Sequence, residues 1–266
     1  MLDFELKNSY TVQDLVDIMR LLRLPGGCPW DAEQTHESIK KNLIEETYEV
    51  IEAINKKDSD LLCEELGDLL MQVVFHAQME NELGVFDFDS VADGVCKKLI
   101  ERHPHVFGEV TVSGVDDVLN NWDDIKRKTK GQKNTTESML SVPRELPALM
   151  RATKLQKKAA DVGFDWSDVS GALDKLEEEI KELRQAVENN DRANMSEELG
   201  DVLFSAVNVS RFIKSDAEEA LTAASDKFLS RFTVVEKLAQ ERGMDMRSES
   251  LEELDKLWDE AKAKEI

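Results

Sequence analysis

The chain has 266 residues, which is long enough for two domains that each bury a hydrophobic core. Hydrophobic residues make up 41% and charged residues 34%, a balance typical of helical domains with charged outer faces rather than of a disordered chain. The net charge of −22 argues against binding to a nucleic-acid polymer, because such binding requires clustered Lys and Arg. Free nucleotides are compatible with it, since a bound metal reverses the charge locally.

The N-terminal sequence and the hydropathy of the chain predict a cytoplasmic protein with no membrane contact. Residues 1–10 contain neither the basic nor the apolar region of a secretory signal, and no run of about 18 apolar residues occurs. The three cysteines, Cys28, Cys63 and Cys96, form no CxxC pair, so we expect neither a disulfide framework nor a zinc site.

The first half of the chain predicts a helical hairpin with an acidic motif on each helix. Apolar residues recur every three or four positions on both sides of a polar turn at 55–59. The motif EETYE occupies 45–49 on the first helix, and ELGD occupies 65–68 on the second. The apolar positions that define this stripe are Ile44, Ile51, Ile54, Leu66, Leu69, Leu70 and Val73.

The second half of the chain repeats the first. The motifs EEIKE at 178–182 and ELGD at 198–201 restore all five acidic positions at an offset of 133 residues. A tryptophan near the end of each half, Trp122 and Trp258, recurs at an offset of 136 residues. The turn of the second hairpin is expected at 189–191. Its periodic stripe comprises Leu173, Leu176, Ile180, Leu183, Val187, Leu199, Leu203, Ala206, Ser210 and Ile213.

This duplication predicts two tandem domains of the same all-α fold. The polar stretch 129–147 is rich in Gly, Asn, Ser, Thr and Pro, which is typical of a linker. We therefore expect one domain at 1–135 and another at 136–266. Each domain is predicted to be a small helical bundle, because β-branched residues are scattered and no strand pair is found.

The acidic motifs place two carboxylates on one side of each helix. In the second half, Glu179 and Glu182 are three residues apart, hence about 60° apart around the axis. Glu198 and Asp201 have the same relation on the return helix. This acidic face is predicted to be distinct from the main core seam formed by the apolar stripe. Gly200 is expected to let a backbone or a ligand approach closely, since glycine otherwise weakens a helix.

Four carboxylates from two helices repel one another unless cations neutralise them, and Mg²⁺ is the natural cation. It prefers oxygen ligands and completes its coordination with water and substrate phosphates, and Mn²⁺ is a possible substitute. Glu178 precedes the ligand pair on another side of the helix, where it is a candidate to orient or deprotonate a water activated by the metal. The alternative is a duplicated set of salt-bridge residues without a metal.

Phosphate chemistry also needs positive groups, and the second half offers three candidates. Lys227 and Arg231 are four residues apart on a predicted helix, although such a pair is equally expected on an exposed basic face. Lys175 stands one turn before Glu179, where it can bind phosphate or pair with that carboxylate, and the spacing favours the pair. Trp258 can stack on a nucleobase, but core packing is the commoner role of an isolated tryptophan.

Several longer motifs resemble the MazG family of two-domain nucleoside triphosphate pyrophosphohydrolases across nearly the whole chain. Besides the two acidic hairpins, they are LPGGCPWDAEQTHESI at 24–39, RHPHVF at 102–107 and LPALMRATKLQKKAADVGFDW at 146–166. The resemblance implies an all-α homodimer that depends on Mg²⁺ and cleaves many NTPs and dNTPs between the α and β phosphates. It implies direct attack of water on the α-phosphorus, and a role in clearing aberrant nucleotides or in nutritional stress.

The same resemblance assigns the site residues. The implied metal ligands are Glu179, Glu182, Glu198 and Asp201 in the second copy and Glu46, Glu49, Glu65 and Asp68 in the first. Catalysis is assigned mainly to the second copy, and the first copy is expected to be more structural. The family's substrate ligands match Lys227, Arg231 and Trp258. One departure is Asn194, which stands where relatives have a basic side chain that contacts phosphate.

Two other functions are compatible with these motifs. A narrow-specificity relative, such as a dUTP-preferring or a phosphoribosyl-ATP pyrophosphohydrolase, would share the carboxylates and differ in its substrate profile. A non-catalytic helical dimerisation or regulatory module would bind metal or nucleotide without turnover. The presence of all the acids in both copies disfavours that module.

Overall fold

The computed structural model describes residues 4–112, 114, 117, 118, 125 and 131–264. The chain divides into two compact units, Met1–Lys126 and Arg127–Ile266, whereas the sequence placed a boundary near residue 135. All regular elements among the described residues are helices, with no strand, so the predicted all-α fold is confirmed. None of the described helices combines the length and the apolar character that crossing a membrane requires.

In its described part, the first unit contains six helices. They are α1 (Val12–Arg23), α2 (Pro29–Glu33), α3 (Lys40–Lys56), α4 (Ser59–Glu82), α5 (Phe88–Arg102) and α6 (Pro104–Phe107). The core lies where α1 and the loop before α3 pack on α4, with Met19, Ile39 and Phe75 buried together. A histidine pair fixes the same loop to α4, since Nδ1 of His36 lies 2.7 Å from Nδ1 of His76.

The described part of the second unit also contains six helices. They are α7 (Thr135–Leu140), α8 (Ala148–Ala160), α9 (Val169–Glu188), α10 (Arg192–Phe212), α11 (Ala217–Glu241) and α12 (Leu251–Ala263). A core forms between α11 and α12, where Leu238 and Leu257 are buried. Helix α8 is joined to α10 by the buried Gln156, whose Nε2 donates a hydrogen bond to the carbonyl of Phe204 at 2.8 Å.

The helices α3 and α4 form one hairpin and α9 and α10 the other, and both hairpins turn in the same way. Lys57 and Asn190 occupy equivalent positions and adopt left-handed conformations, with φ of 55° and 54°. The next residue in each copy, Asp58 or Asp191, caps the returning helix by accepting hydrogen bonds from backbone N–H groups of its first turn. Both return helices therefore start with the same geometry.

The stretch that we expected to be a linker is folded over its described part, 131–147, and this prediction was wrong there. It contains α7, and both Ser138 and Val142 are buried. Lys158 on α8 donates a hydrogen bond to the Ser138 hydroxyl, which ties the segment to the second unit. At least one polar residue of this segment has a structural role, because the side-chain oxygen of Asn134 caps the start of α7.

The seam between α9 and α10 is not the one that the sequence predicted. The buried residues of α9 are Ala172, Glu179 and Ala186, seven positions apart, whereas Ile180 and Val187 of the apolar stripe are 44% and 56% exposed. Small side chains let two helices approach closely, so alanines and one glutamate fill the seam and the long aliphatic side chains flank it. The acidic face is therefore part of this seam. In the first unit the residues with similar exposure are Ile44, Ile51, Ile54 and Leu66.

Candidate active site

The two acidic motifs of the second hairpin converge. Glu179 and Glu182 project from α9 and Glu198 projects from α10, and one carboxylate oxygen of each lies within 4.8 Å of the others. Asp201, the fourth predicted ligand, lies outside this set of three, but its charge still acts on Glu198. We call the four residues of this cluster, Glu179, Glu182, Glu198 and Asp201, the second site.

Burial and crowding destabilise the charged form of Glu198 in this cluster. Desolvation raises the pKa of the Glu198 carboxyl above its usual value, and repulsion by Glu182, Glu179 and Asp201 raises it further. Glu179 lies in the helix seam and is only 5% exposed. A cation placed among these oxygens would relieve both effects, because opposite charge favours the ionised form.

The first hairpin builds the same cluster. One carboxylate oxygen each from Glu46, Glu49 and Glu65 lies within 4.8 Å of the others, and with Asp68 these residues form what we call the first site. Burial raises the pKa of Glu46, and repulsion by Asp68 and Glu49 adds to the effect. Burial likewise raises the pKa of Glu65. Gln72, which was not predicted as a site residue, is a buried neighbour that hydrogen-bonds the Glu46 carboxyl. The spacing of four residues between Asp68 and Gln72 was the signal available in the sequence.

Lys175 is the partner of two acidic side chains at the second site. Its Nζ lies 2.7 Å from Oε1 of Glu178 and 2.7 Å from Oε1 of Glu179. These two hydrogen bonds raise the pKa of the lysine above its usual value. The expected pairing of Lys175 with Glu179 is therefore present, and Glu178, the candidate base, is held by the same ammonium group.

Both clusters suit a hard divalent cation. Each offers at least three carboxylates whose oxygens are close enough together to reach a single ion, and oxygen is the ligand type that Mg²⁺ prefers. Gly67 and Gly200 stand beside these acids, and a Cβ built at either residue would meet nothing within 4 Å. The expected close approach of a backbone is therefore not found at either glycine among the described residues, and Gly200 lines a cavity with Leu149 and Leu203 rather than with the carboxylates.

The chain matches the family described as the MazG nucleotide pyrophosphohydrolase domain twice, over residues 34–107 and 168–237. It belongs to this family. The first match contains the whole first site, and the second match contains the whole second site. The resemblance that the motifs indicated is thereby confirmed, and the duplication corresponds to two MazG domains in tandem.

Relatives of this MazG chain match it across both units. A protein of Thermotoga maritima named nucleoside triphosphate pyrophosphohydrolase/pyrophosphatase MazG is 46% identical over 94% of this chain and 95% of its own. A nucleoside triphosphate pyrophosphohydrolase of Escherichia coli is 45% identical over 96% of this chain and 98% of its own. The protein YabN of Bacillus subtilis is 53% identical over 93% of this chain and 51% of its own.

Apart from Lys175 on α9, the predicted phosphate and base ligands of the MazG chain lie on α11 and α12. Lys227 is exposed on α11. Arg231 lies over the ring of Trp258, with Cζ 5.9 Å from the ring centre, and that ring also packs against Phe228 and the core between these two helices. Trp258 therefore has the core-packing role that we weighed as the alternative, and its stacking on a base stays a prediction. Trp122, its counterpart, lies outside the described residues.

Asn194 lies in the first turn of α10, one turn before Glu198. Its backbone N–H donates to Oδ1 of Asp191 at 3.2 Å, so the residue takes part in the cap of the helix. The Asn194 side chain is uncharged, so it cannot provide the charged phosphate contact that the basic residue of relatives makes at this position.

Proposed function

We propose that this MazG chain hydrolyses nucleoside and deoxynucleoside triphosphates with broad specificity to the monophosphate and pyrophosphate. The reaction depends on Mg²⁺ bound at the second site, and Mn²⁺ substitutes because it accepts the same oxygen ligands. The observation that carries this proposal is the convergence of three carboxylates within 4.8 Å in a chain whose full-length relatives are named for the activity.

The buried and exposed side chains at the second site have different roles in the proposed reaction. The bound ion would supply acidity to an attacking water and neutralise charge on the triphosphate. Glu179 is held by the helix seam, so its carboxylate has little freedom and fixes one ligand position. Glu178 is exposed at the edge of the cluster, where it can accept a proton from water once Lys175 releases it. Water then attacks the α-phosphorus and pyrophosphate leaves, without a covalent intermediate.

The same proposal includes a homodimer. Ile180, Leu199 and Leu203 flank the second site's hairpin and are 44%, 50% and 50% exposed. A run of exposed aliphatic side chains of this kind is typical of an interface, since isolated surfaces rarely keep large apolar patches. In a homodimer, the same aliphatic side chains of a second copy would cover this surface in a self-complementary contact. A cytoplasmic role in nucleotide clearance or nutritional stress is what the family resemblance implies.

Product analysis in isotopic water tests the reaction. The full chain is incubated with Mg²⁺ and each of the eight common NTPs and dNTPs in H₂¹⁸O, and the products are separated by anion exchange. ATP is expected to give AMP and pyrophosphate with ¹⁸O in the AMP, because water attacks the α-phosphorus. Orthophosphate release, or ¹⁸O in pyrophosphate, would contradict the mechanism.

The same measurement separates the alternatives. A profile confined to one nucleotide, such as dUTP, would indicate a narrow-specificity pyrophosphohydrolase. Saturable nucleotide binding without product would indicate a non-catalytic regulatory module. Preparations of Glu182→Gln, purified identically, control for contaminating hydrolases.

A further inference from the structure

The first and second sites share their carboxylates but differ in what surrounds them. Lys175 pairs with the second site, and the equivalent position in the first copy, at an offset of 133, is Asn42. Gln72 hydrogen-bonds the first site, and its equivalent in the second copy is Ser205. The duplicated acids are therefore balanced by a positive charge in one copy and by a neutral amide in the other.

Lys175 and a metal ion would share the carboxylate of Glu179. The Glu179 side chain is 7% exposed, so its ion pair with Lys175 is poorly screened by solvent, and a buried carboxylate needs such a partner. The same ammonium also holds the more exposed Glu178, which fixes it beside the cluster. A divalent cation at the second site must either displace this ammonium from Glu179 or bind close to it, and both reduce its affinity.

Among the described residues, the first site has no ion pair equivalent to that of Lys175 with Glu179. Asn42 is one turn before Glu46 on α3, as Lys175 is before Glu179 on α9, but it carries no charge. The partner of Glu46 on α4 is the amide of Gln72, which does not repel a cation. The first site therefore presents its carboxylates to an ion without a positive group in the position of Lys175.

We infer that Lys175 is an internal counter-ion that makes the second site the weaker of the two for free divalent cations, so that metal fills the first site before the second. This inference rests on the proposed function, in that both clusters are taken as metal sites. The two copies would then require different free concentrations of the divalent cation to be filled, although their predicted ligands are identical.

Exchanging the two residues tests the inference in the full-length chain. Binding of Mn²⁺ alone, without nucleotide, is measured by electron paramagnetic resonance in a Glu49→Gln background, which leaves the second site intact, and in a Glu182→Gln background, which leaves the first. Lys175→Asn is expected to tighten Mn²⁺ binding at the second site about tenfold, the usual weight of one charge-assisted hydrogen bond. Asn42→Lys is expected to weaken the first site by a similar factor.

Thermal scans distinguish a counter-ion from a merely structural lysine. Lys175→Asn is expected to lower Tm in EDTA and to enlarge the rise in Tm on adding Mn²⁺, whereas a structural role would lower Tm equally in both conditions. Lys181→Asn is the matched control, since Lys181 is exposed on the same helix and its loss changes the net charge identically.

The outcomes separate this inference from the proposed function. Saturable Mn²⁺ binding that changes less than twofold in both exchange variants would overturn the role of Lys175 and leave the metal sites standing. The absence of saturable binding in the Glu49→Gln background, where the second site is intact, would instead contradict the proposed function. Mn²⁺ binding that is absent at the first site, or weaker there than at the second, would overturn the inference that the first site fills first. Asn42→Lys adds a side chain at a partly exposed position, so it keeps the inference testable if Lys175→Asn fails to fold.

Discussion

Glu182 and Asp201 are the exposed members of the second site, so neutralising either one changes the charge of the cluster with little effect on packing. We expect Glu182→Gln to reduce ATP turnover by at least about a hundredfold, because an amide is a poorer ligand for Mg²⁺ than a carboxylate. Asp201→Asn should have a similar effect. Steady-state kinetics measure the loss, and circular dichroism checks that helicity is unchanged.

The duplicated chain provides its own control for this prediction. Glu49→Gln makes the same substitution at the first site, and we expect it to retain most of the activity. The reverse pattern, with Glu49→Gln inactive and Glu182→Gln active, would assign catalysis to the first copy.

At the level of residues, the sequence predicted which carboxylates cluster but not all of the side chains that pair with them. Repetition of five acids at one offset was sufficient to select the three carboxylates that converge in each copy, because chance does not restore a spaced pattern twice. The pairing of Lys175 with Glu179 also followed from helical spacing. The contact between Gln72 and Glu46 joins two helices, and a single sequence does not report cross-helix neighbours.

The hairpins themselves were predictable, whereas the orientation of their faces was not. Periodicity identifies an apolar stripe, but it does not tell whether the stripe packs within the chain or against another copy. In α9 the strongest stripe, with Ile180 and Val187, is the half-exposed one, and the seam is marked by two alanines, Ala172 and Ala186. Alanine contributes little to a hydrophobic pattern, so the pattern did not predict which face of α9 packs against α10.

The exposed stripe predicts that the hairpin is an interface. We expect Leu203→Glu, alone or with Ile180→Glu, to shift the protein from dimer to monomer, because burying a charge in an apolar contact is strongly unfavourable. The side chains are 50% and 44% exposed, so the monomer should remain helical. Light scattering after size exclusion measures the mass. Ala186→Glu, at a position 1% exposed, should instead unfold the hairpin. A wild-type monomer at micromolar concentration would contradict the dimer.

The turn between α3 and α4 predicts a stabilising substitution. Lys57 is exposed and has φ of 55°, a conformation that disfavours side chains with a Cβ but not glycine. We expect Lys57→Gly to stabilise the first unit by about 0.5–1 kcal/mol in urea unfolding. Asn190→Gly should change stability less, since asparagine tolerates this conformation. An equal or larger gain at Asn190 would show that the backbone conformation is not the cause.

For the whole molecule, the clustered carboxylates couple metal to stability. On the proposed function, Mg²⁺ would bind the folded sites far better than the unfolded chain, so at about 100 times its Kd a single site would contribute about 2.7 kcal/mol. We expect Tm to rise with Mg²⁺ and to rise less with monovalent salt of equal ionic strength, which screens but does not coordinate. Glu182→Gln in EDTA should be neutral or stabilising, because it removes one repelling charge. A metal-independent loss of stability in that variant would identify Glu182 as a structural salt-bridge residue.

The same carboxylates predict an unusual pH dependence in EDTA. Burial raises the pKa values of Glu46, Glu65 and Glu198 above the ordinary 4.5, so the folded state holds these protons more tightly than the unfolded state. Their charged forms cost stability at pH 7, and that stability returns as the pH falls through the raised pKa values towards 4.5. We expect Tm to increase from pH 7 to about pH 5.

Below that range the sign reverses. Hydrogen bonds from Lys7 and Thr11 lower the pKa of Asp14 from 3.8 to about 2, so the stability from its charged form is lost as the pH falls between those values. Tm should therefore pass through a maximum. Desolvation also lowers the pKa of His76 below 6.5, which removes stability as the pH falls through 6.5, so the check is the difference between wild type and Glu198→Gln in EDTA. A change in Tm from pH 7 to 5 that is equal in the two proteins would contradict the crowding of the carboxylates.

The geometry of the hairpin also decides where the chain can change its length. Glu182 stands six residues before the end of α9, and Glu198 stands six residues after the start of α10. A residue inserted in the turn at 189–191 leaves both faces in place, but one inserted in α9 between Glu182 and the turn rotates the acids by about 100° relative to α10. Insertions and deletions are thus tolerated at the tip and excluded from the helical arms. The spacing of fifteen residues between the two acidic motifs is the same in both copies, as helical arms of fixed length joined by turns of the same geometry require.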